Sequence, residues 1–101
     1  MKKYLVLFLL LVFIGSFTVV GQAQDVEIDF WYALSGNIQE VTLSLVEDFN
    51  ESHPDIQVNP VHRGSYSEVL TSSIAAYRTG NAPHIVQVYE VGTQTLLDSN
   101  A

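Results

Sequence analysis

The sequence predicts an α/β fold in the order β-α-β-α-β-α, built on a parallel sheet with crossover helices. Three observations predict it. Val26, Ile28 and Phe30 alternate with Glu27, Asp29 and Trp31, the period of two that marks a strand with one apolar face. Ile38, Val41, Leu45 and Phe49 then fall at helical spacing, with Val46 widening the stripe. The same exchange of strand and helix patterns recurs twice with short connections, the arrangement that parallel βαβ units need.

Each element has its own start and stop signals. Ser35-Gly36-Asn37 is a turn that can cap the first helix, and Pro54 ends that helix by disfavouring the α conformation at His53. Ile56 and Val58 begin a second strand running to about His62, and Pro60 within it implies an edge position. Gly64 breaks the strand. Ser65-Tyr66-Ser67-Glu68 has the spacing of a capping box. The helix it opens carries Val69, Leu70, Ile74 and Tyr77, with Tyr77 on the apolar face, and stops at Gly80. Residues 84–89 hold Ile85, Val86 and Val88, the apolar run of a central parallel strand. Gly92-Thr93 opens a last helix, and the chain reads as cut in mid-element at residues 96–101.

The first 23 residues read as a different object. Lys2 and Lys3 precede an apolar run from Leu5 to Val20, followed by Gly21-Gln22-Ala23. Basic, apolar, then small-x-small is the order of a secretory signal peptide, with cleavage expected after Ala23. The run of about 16 residues is short for a retained membrane anchor, which needs about 20. Residues 24–101 hold two arginines against all eleven acids, a net charge of −9 with His neutral. Such a surface repels nucleic acid and anionic lipid. The absence of cysteine excludes disulfides and Cys₄ metal sites, and leaves no thiol for lipid attachment. These features point to a periplasmic protein with no direct membrane insertion once the signal is removed.

In open parallel sheets, ligands bind at the carboxyl ends of the strands. That rule gathers Trp31 and Tyr32 after strand one, Arg63, Gly64, Ser65 and Tyr66 after strand two, and Tyr89 and Glu90 after strand three. Aromatic faces, a carboxylate, a guanidinium and two helix N-termini suit a small polyhydroxylated ligand, with the guanidinium and helix N-termini favouring an anionic group on it. Tyr66 and Glu90 are the expected ligand contacts, because an aromatic beside a cap and an acid directly after an apolar strand have no evident packing role. Trp31 and Tyr89 fit sheet packing equally well, and Arg63 reads as neutralising the acidic surface. His53, His62 and His84 show no metal-ligand spacing. Nucleophile-elbow, phosphate-loop, zinc-protease and dinucleotide signatures are absent, so neither catalysis nor a cofactor is expected.

Phe30-Trp31-Tyr32, the helix end Phe49-Asn50-Glu51-Ser52-His53-Pro54, and Ala75 to Pro83 followed by Gln87 to Thr93 resemble the extracellular solute-binding proteins of carbohydrate ABC importers. The stretch from Gln87 to Thr93 is most similar to the glycerol-phosphate-binding branch of that family. The resemblance implies two α/β lobes closing over a ligand, with residues 24–101 as the N-terminal part of lobe 1, incomplete in this chain. It implies capture of sn-glycerol-3-phosphate or glycerophosphodiesters and delivery to ABC permease membrane subunits, with Tyr66 and Glu90 matching first-lobe contacts. Trp31-Tyr32-Ala33 stands where the family has Trp-His-Ser or Trp-His-Ala, and His84 where many members carry Asp. A maltose- or oligosaccharide-type binder and an exported α/β enzyme whose catalytic part lies outside this stretch remain as alternatives.

Overall fold

The computed structural model describes residues 25–101; the expected signal peptide lies outside the described residues. Three strands and three helices alternate: β1 (Val26–Tyr32), α1 (Gly36–Ser52), β2 (Ile56–His62), α2 (Tyr66–Arg78), β3 (Ile85–Val86) and α3 (Glu90–Ser99). The sheet is parallel throughout, in the order β2-β1-β3. Strand β1 pairs with β2 over its full length, Val26 opposite Ile56 and Tyr32 opposite His62. It pairs with β3 only at Phe30–Ile85 and Trp31–Val86. Among the described residues β1 is therefore flanked on both sides, and β3 pairs with β1 on one side.

Strand β3 is short, but side chains lengthen its attachment. The His84 amide donates to the Asp29 carbonyl at 3.1 Å, and the Asp29 amide donates to His84 Nδ1 at 3.0 Å. At the other end the Gln87 amide donates to the Trp31 carbonyl, and the Ala33 amide donates to Gln87 Oε1, both at 2.9 Å. His84 and Gln87 thus act as pieces of a ladder that the backbone alone does not complete.

Strand β2 lies at the edge among the described residues, as Pro60 implies, and its outer side is partly capped. The Ile56 amide donates to the His53 carbonyl. The Asn50 side chain takes the Val58 amide at 2.8 Å and donates to the Val58 carbonyl at 3.0 Å. Pro60 has no N–H to offer. An edge that would otherwise invite another strand is thus satisfied in part, at Ile56 and Val58.

Because α1 leads outward from β1 to β2 and α2 leads back past β1 to β3, right-handed crossovers place these helices on opposite faces. Helix α1 lies along β2, while α2 packs on β1 and against α3. The apolar residues buried among those described are Trp31, Tyr32, Val69 and Leu70. Helix α1 buries no side chain. Its stripe residues Ile38, Val41 and Leu45 are 64, 59 and 62 % exposed. The half-buried positions are Gln39, Thr42, Val46 and Asn50. Polar anchoring sets this rotation: Asn50 fixes one end on Val58, and Gln39 Nε2 donates to the Tyr32 hydroxyl at the other. Tyr77, expected in the core, is 53 % exposed.

The helix ends follow local chemistry. Ser65 and Glu68 form the capping box in both directions. After α2, the Gly80 amide donates to the Tyr77 carbonyl and the Asn81 amide to the Ala76 carbonyl, the paired bonds of a Schellman motif with glycine at φ +75°. Ser35 starts α1 in an extended conformation, with no side-chain capping bond. Helix α3 starts at Glu90, two residues before the expected Gly92. Asn100, which follows it, takes the left-handed conformation.

Candidate functional site

The carboxyl ends of the three strands form one rim. The chain turns to one side of β1 to make β2 and to the other to make β3, so the switch in strand order falls between β1 and β3. That is the position at which open α/β sheets hold ligands. The Ala33–Gln87 hydrogen bond ties the two strand ends together there.

Tyr66 is the first residue of α2 and is 42 % exposed. Its ring lies 5.4 Å from the ring of Tyr89, tilted by 44°. Tyr89 in turn rests against the first turn of α3, where a Cβ added to buried Gly92 would lie 3.4 Å from its ring. The two tyrosines form an aromatic ledge between the start of α2 and the start of α3. Glu90, next in sequence, is exposed in the first turn of α3. A carboxylate is favoured there by the helix dipole, which accounts for the acid locally and leaves its oxygens open to hydroxyl donors. The structure therefore pairs Tyr66 with Tyr89, and Glu90 follows Tyr89 in the chain.

The remaining rim residues divide. Tyr32 is core: 3 % exposed, stacked on Phe30, edge-on to His62, and accepting from Gln39. Tyr32 is thus absorbed by packing. Trp31 is buried, and the Arg63 guanidinium carbon sits 3.7 Å above its ring. The reading of Arg63 as a diffuse surface charge misses this placement. Adjacent aromatic and basic residues at paired strand ends are its only trace in the sequence.

The helix N-termini at the rim do not present themselves as empty anion sites. At α2, Glu68 Oε2 accepts from the Ser65 amide at 2.7 Å and from the Ser65 hydroxyl at 2.8 Å. The Ser65 amide, then its hydroxyl, and more weakly the nearby His62, hold the Glu68 carboxyl below the usual carboxylate range, against a small desolvation effect. At α3 the first turn carries Glu90. Among the described residues no cluster of three or more His, Cys, Asp or Glu is arranged to hold a metal ion.

The rim itself is an open surface. A groove of about 460 Å³ runs along the outer side of β2 under α1, past Val46, Asn50, Val58 and Pro60. An apolar pocket of about 200 Å³ lies between α2, β3 and α3, lined by Ser73, Tyr77, Pro83, Val86 and Leu96. Neither includes Tyr66 or Glu90.

Known proteins resemble this chain along most of its length. The sn-glycerol-3-phosphate-binding periplasmic protein UgpB of Salmonella paratyphi A is 46% identical over 87 residues, which cover 85% of this chain and 20% of the relative. Its counterpart in Pectobacterium atrosepticum is 44% identical over 81 residues, 80% of this chain and 18% of the relative. That of Escherichia coli K12 is 45% identical over 84 residues, 82% of this chain and 19% of the relative. The chain is a homologue of these binding proteins. It spans about a fifth of their length. No family model matches it.

Proposed function

We infer that this stretch belongs to the solute-binding component of an ABC importer, exported to the periplasm, which captures sn-glycerol-3-phosphate or a glycerophosphodiester and hands it to membrane permease subunits. The similarity of 44–46% identity to proteins named for that ligand carries the reading. The rim supports it independently of the names. Tyr66 and Tyr89 offer aromatic surface for the C–H faces of a glycerol backbone, and Glu90 offers acceptors for its hydroxyls. The process is capture and release, with no bond made or broken, so the protein is not an enzyme.

Calorimetric titration of the full-length gene product tests this. Glycerol-3-phosphate binds, and a panel of disaccharides does not displace it. Glu90→Ala weakens binding by roughly tenfold or more, the usual effect of losing hydrogen bonds to a charged acceptor. Disaccharide binding without glycerol-3-phosphate binding would turn the reading to an oligosaccharide binder. Release of free glycerol from a glycerophosphodiester would turn it to an enzyme.

A further inference from the structure

Strand β3 has two residues in register with β1, Ile85 opposite Phe30 and Val86 opposite Trp31. Bonds just outside that pair hold each of its ends. Toward the rim, the Gln87 amide donates to the Trp31 carbonyl and the Gln87 side-chain oxygen accepts from the Ala33 amide. At the opposite end, the His84 amide donates to the Asp29 carbonyl and the His84 ring accepts from the Asp29 amide.

The two ends differ in chemistry. A side-chain amide oxygen accepts at any pH at which proteins fold. An imidazole nitrogen accepts only while it keeps its lone pair. The partner of the ring, at 3.0 Å, is a backbone N–H, which can only donate. That fixes the tautomer: Nδ1 is bare, and the proton of the neutral ring sits on Nε2. A second proton, taken from solvent, goes to Nδ1. It sets two donors against each other and deprives the Asp29 amide of this acceptor. His84 is exposed, so solvent protons reach the ring directly. Imidazoles ordinarily gain that proton between about pH 8 and about pH 5.

Charged residues stand on three elements around His84. Glu27 and Asp29 lie on β1, and Asp29 supplies the bonded amide. Arg78 lies in the last turn of α2, joined to His84 by the loop of residues 79–83. Asp98 lies in the last turn of α3, close to where Leu96 and Ala101 share a pocket with Ala82 and Pro83, and its Oδ1 accepts from Gln94 Nε2 at 2.8 Å. On β2 the residue opposite Asp29 is Asn59, which does not titrate.

We propose that His84 is a proton-sensitive latch. Neutral, it fastens the start of β3 to β1 at Asp29; protonated, it frees that end while Gln87 keeps the other. The strand then pivots on its rim end rather than leaving the sheet. The latch is independent of which solute the rim takes.

Hydrogen exchange read by mass spectrometry on the full-length product tests it in the parent, His84→Asn and His84→Ala, with each rate divided by the intrinsic rate at that pH. Asparagine offers an acceptor near the place of Nδ1 and does not titrate; alanine offers none. Glu27, Asp29, Arg78, Asp98, His53 and His62 are kept in all three, so their titration cancels in the comparison. In the parent, protection of a peptide spanning residues 27–33 falls by roughly two- to tenfold between about pH 7.5 and about pH 5, the range set by one net hydrogen bond. Protection of residues 57–62 holds, which separates release of β3 from general unfolding. His84→Asn keeps the parent's neutral-pH protection at both values, and His84→Ala shows the acid value at both. If asparagine does not reach the Asp29 amide, it matches alanine, and two flat profiles still assign the parent's fall to the ring. A parent whose protection does not change with pH, or a fall of equal size in His84→Asn, overturns the latch.

Discussion

Gly64 and Glu68 show how tightly single residues govern the approach to the rim. Gly64 has φ +84°, where a side chain is strained, and an added Cβ would collide with the Glu68 carboxylate. The backbone conformation requires the glycine, and a Cβ would displace the carboxylate from its capping position. The carboxylate it admits completes the capping box and so fixes where α2 begins, and with it Tyr66. Because the fold holds Glu68 below the usual carboxylate range, it favours the ionised form. The stability it lends is complete above the ordinary carboxylate value and is lost as the pH falls through the depressed one. Thermal unfolding followed from about pH 6 to about pH 3 should therefore lose part of its acid-side slope in Glu68→Gln, which still accepts from Ser65 but does not titrate. An acid limb identical in parent and variant would count against this role. The capping box was legible because it is a local motif of four residues. The seat of Arg63 on Trp31 was not, because it depends on the register of β2 against β1. Tyr32 was placed at the rim by sequence position, yet the pleat turns it to the α1 face, where Gln39 claims its hydroxyl.

At the scale of elements, periodicity identified every strand and helix but did not give the rotation of α1 on the sheet. Its apolar stripe of Ile38, Val41, Leu45 and Phe49 suggests the face that packs down. The structure instead seats the helix by Gln39 and Asn50 and leaves the stripe exposed. Hydropathy reports which face avoids water. It does not report that an edge strand has an amide and a carbonyl to satisfy. Asn50 answers that need at Val58 with both atoms of its side-chain amide. Loss of that side chain leaves two backbone groups without their partner, which costs about 1–3 kcal/mol. Asn50→Ala should lower the stability of the full-length product by that amount in denaturant unfolding. Asn50→Asp, which keeps an acceptor for the Val58 amide, should cost less. A change in Asn50→Ala below about 0.5 kcal/mol, the range of neutral surface substitutions, would show that water replaces the side chain without loss. The short β3 has the same logic: His84 and Gln87 supply ladder bonds that apolar periodicity cannot reveal.

At the scale of the molecule, the described stretch has a sheet of three strands and a small core. Trp31, Tyr32, Val69 and Leu70 are its buried apolar residues, and Val69 is the one large side chain fully withdrawn from water. Ile38, Val41, Leu45, Ile85, Val91 and Leu97 remain exposed. Chains below about 80 residues seldom stabilise themselves with a single core unless disulfides, metals or unusually dense packing assist. This one has no cysteine, and α1 contributes no buried side chain. The conformational entropy of ordering each residue therefore meets little compensating burial. Residues 25–101 prepared alone should show helical circular dichroism, bind a hydrophobic dye such as ANS, and melt over a broad range without a sharp transition. Replacing Val41 and Leu45 by Gln should reduce dye binding with little change in the melting profile, since neither side chain is buried. The contrasting result is a single cooperative transition with no dye binding. It would mean that the backbone ladder and its side-chain extensions hold the sheet without a larger core, and that the polar anchors Asn50, His84 and Gln87 carry more of the stability than apolar burial does.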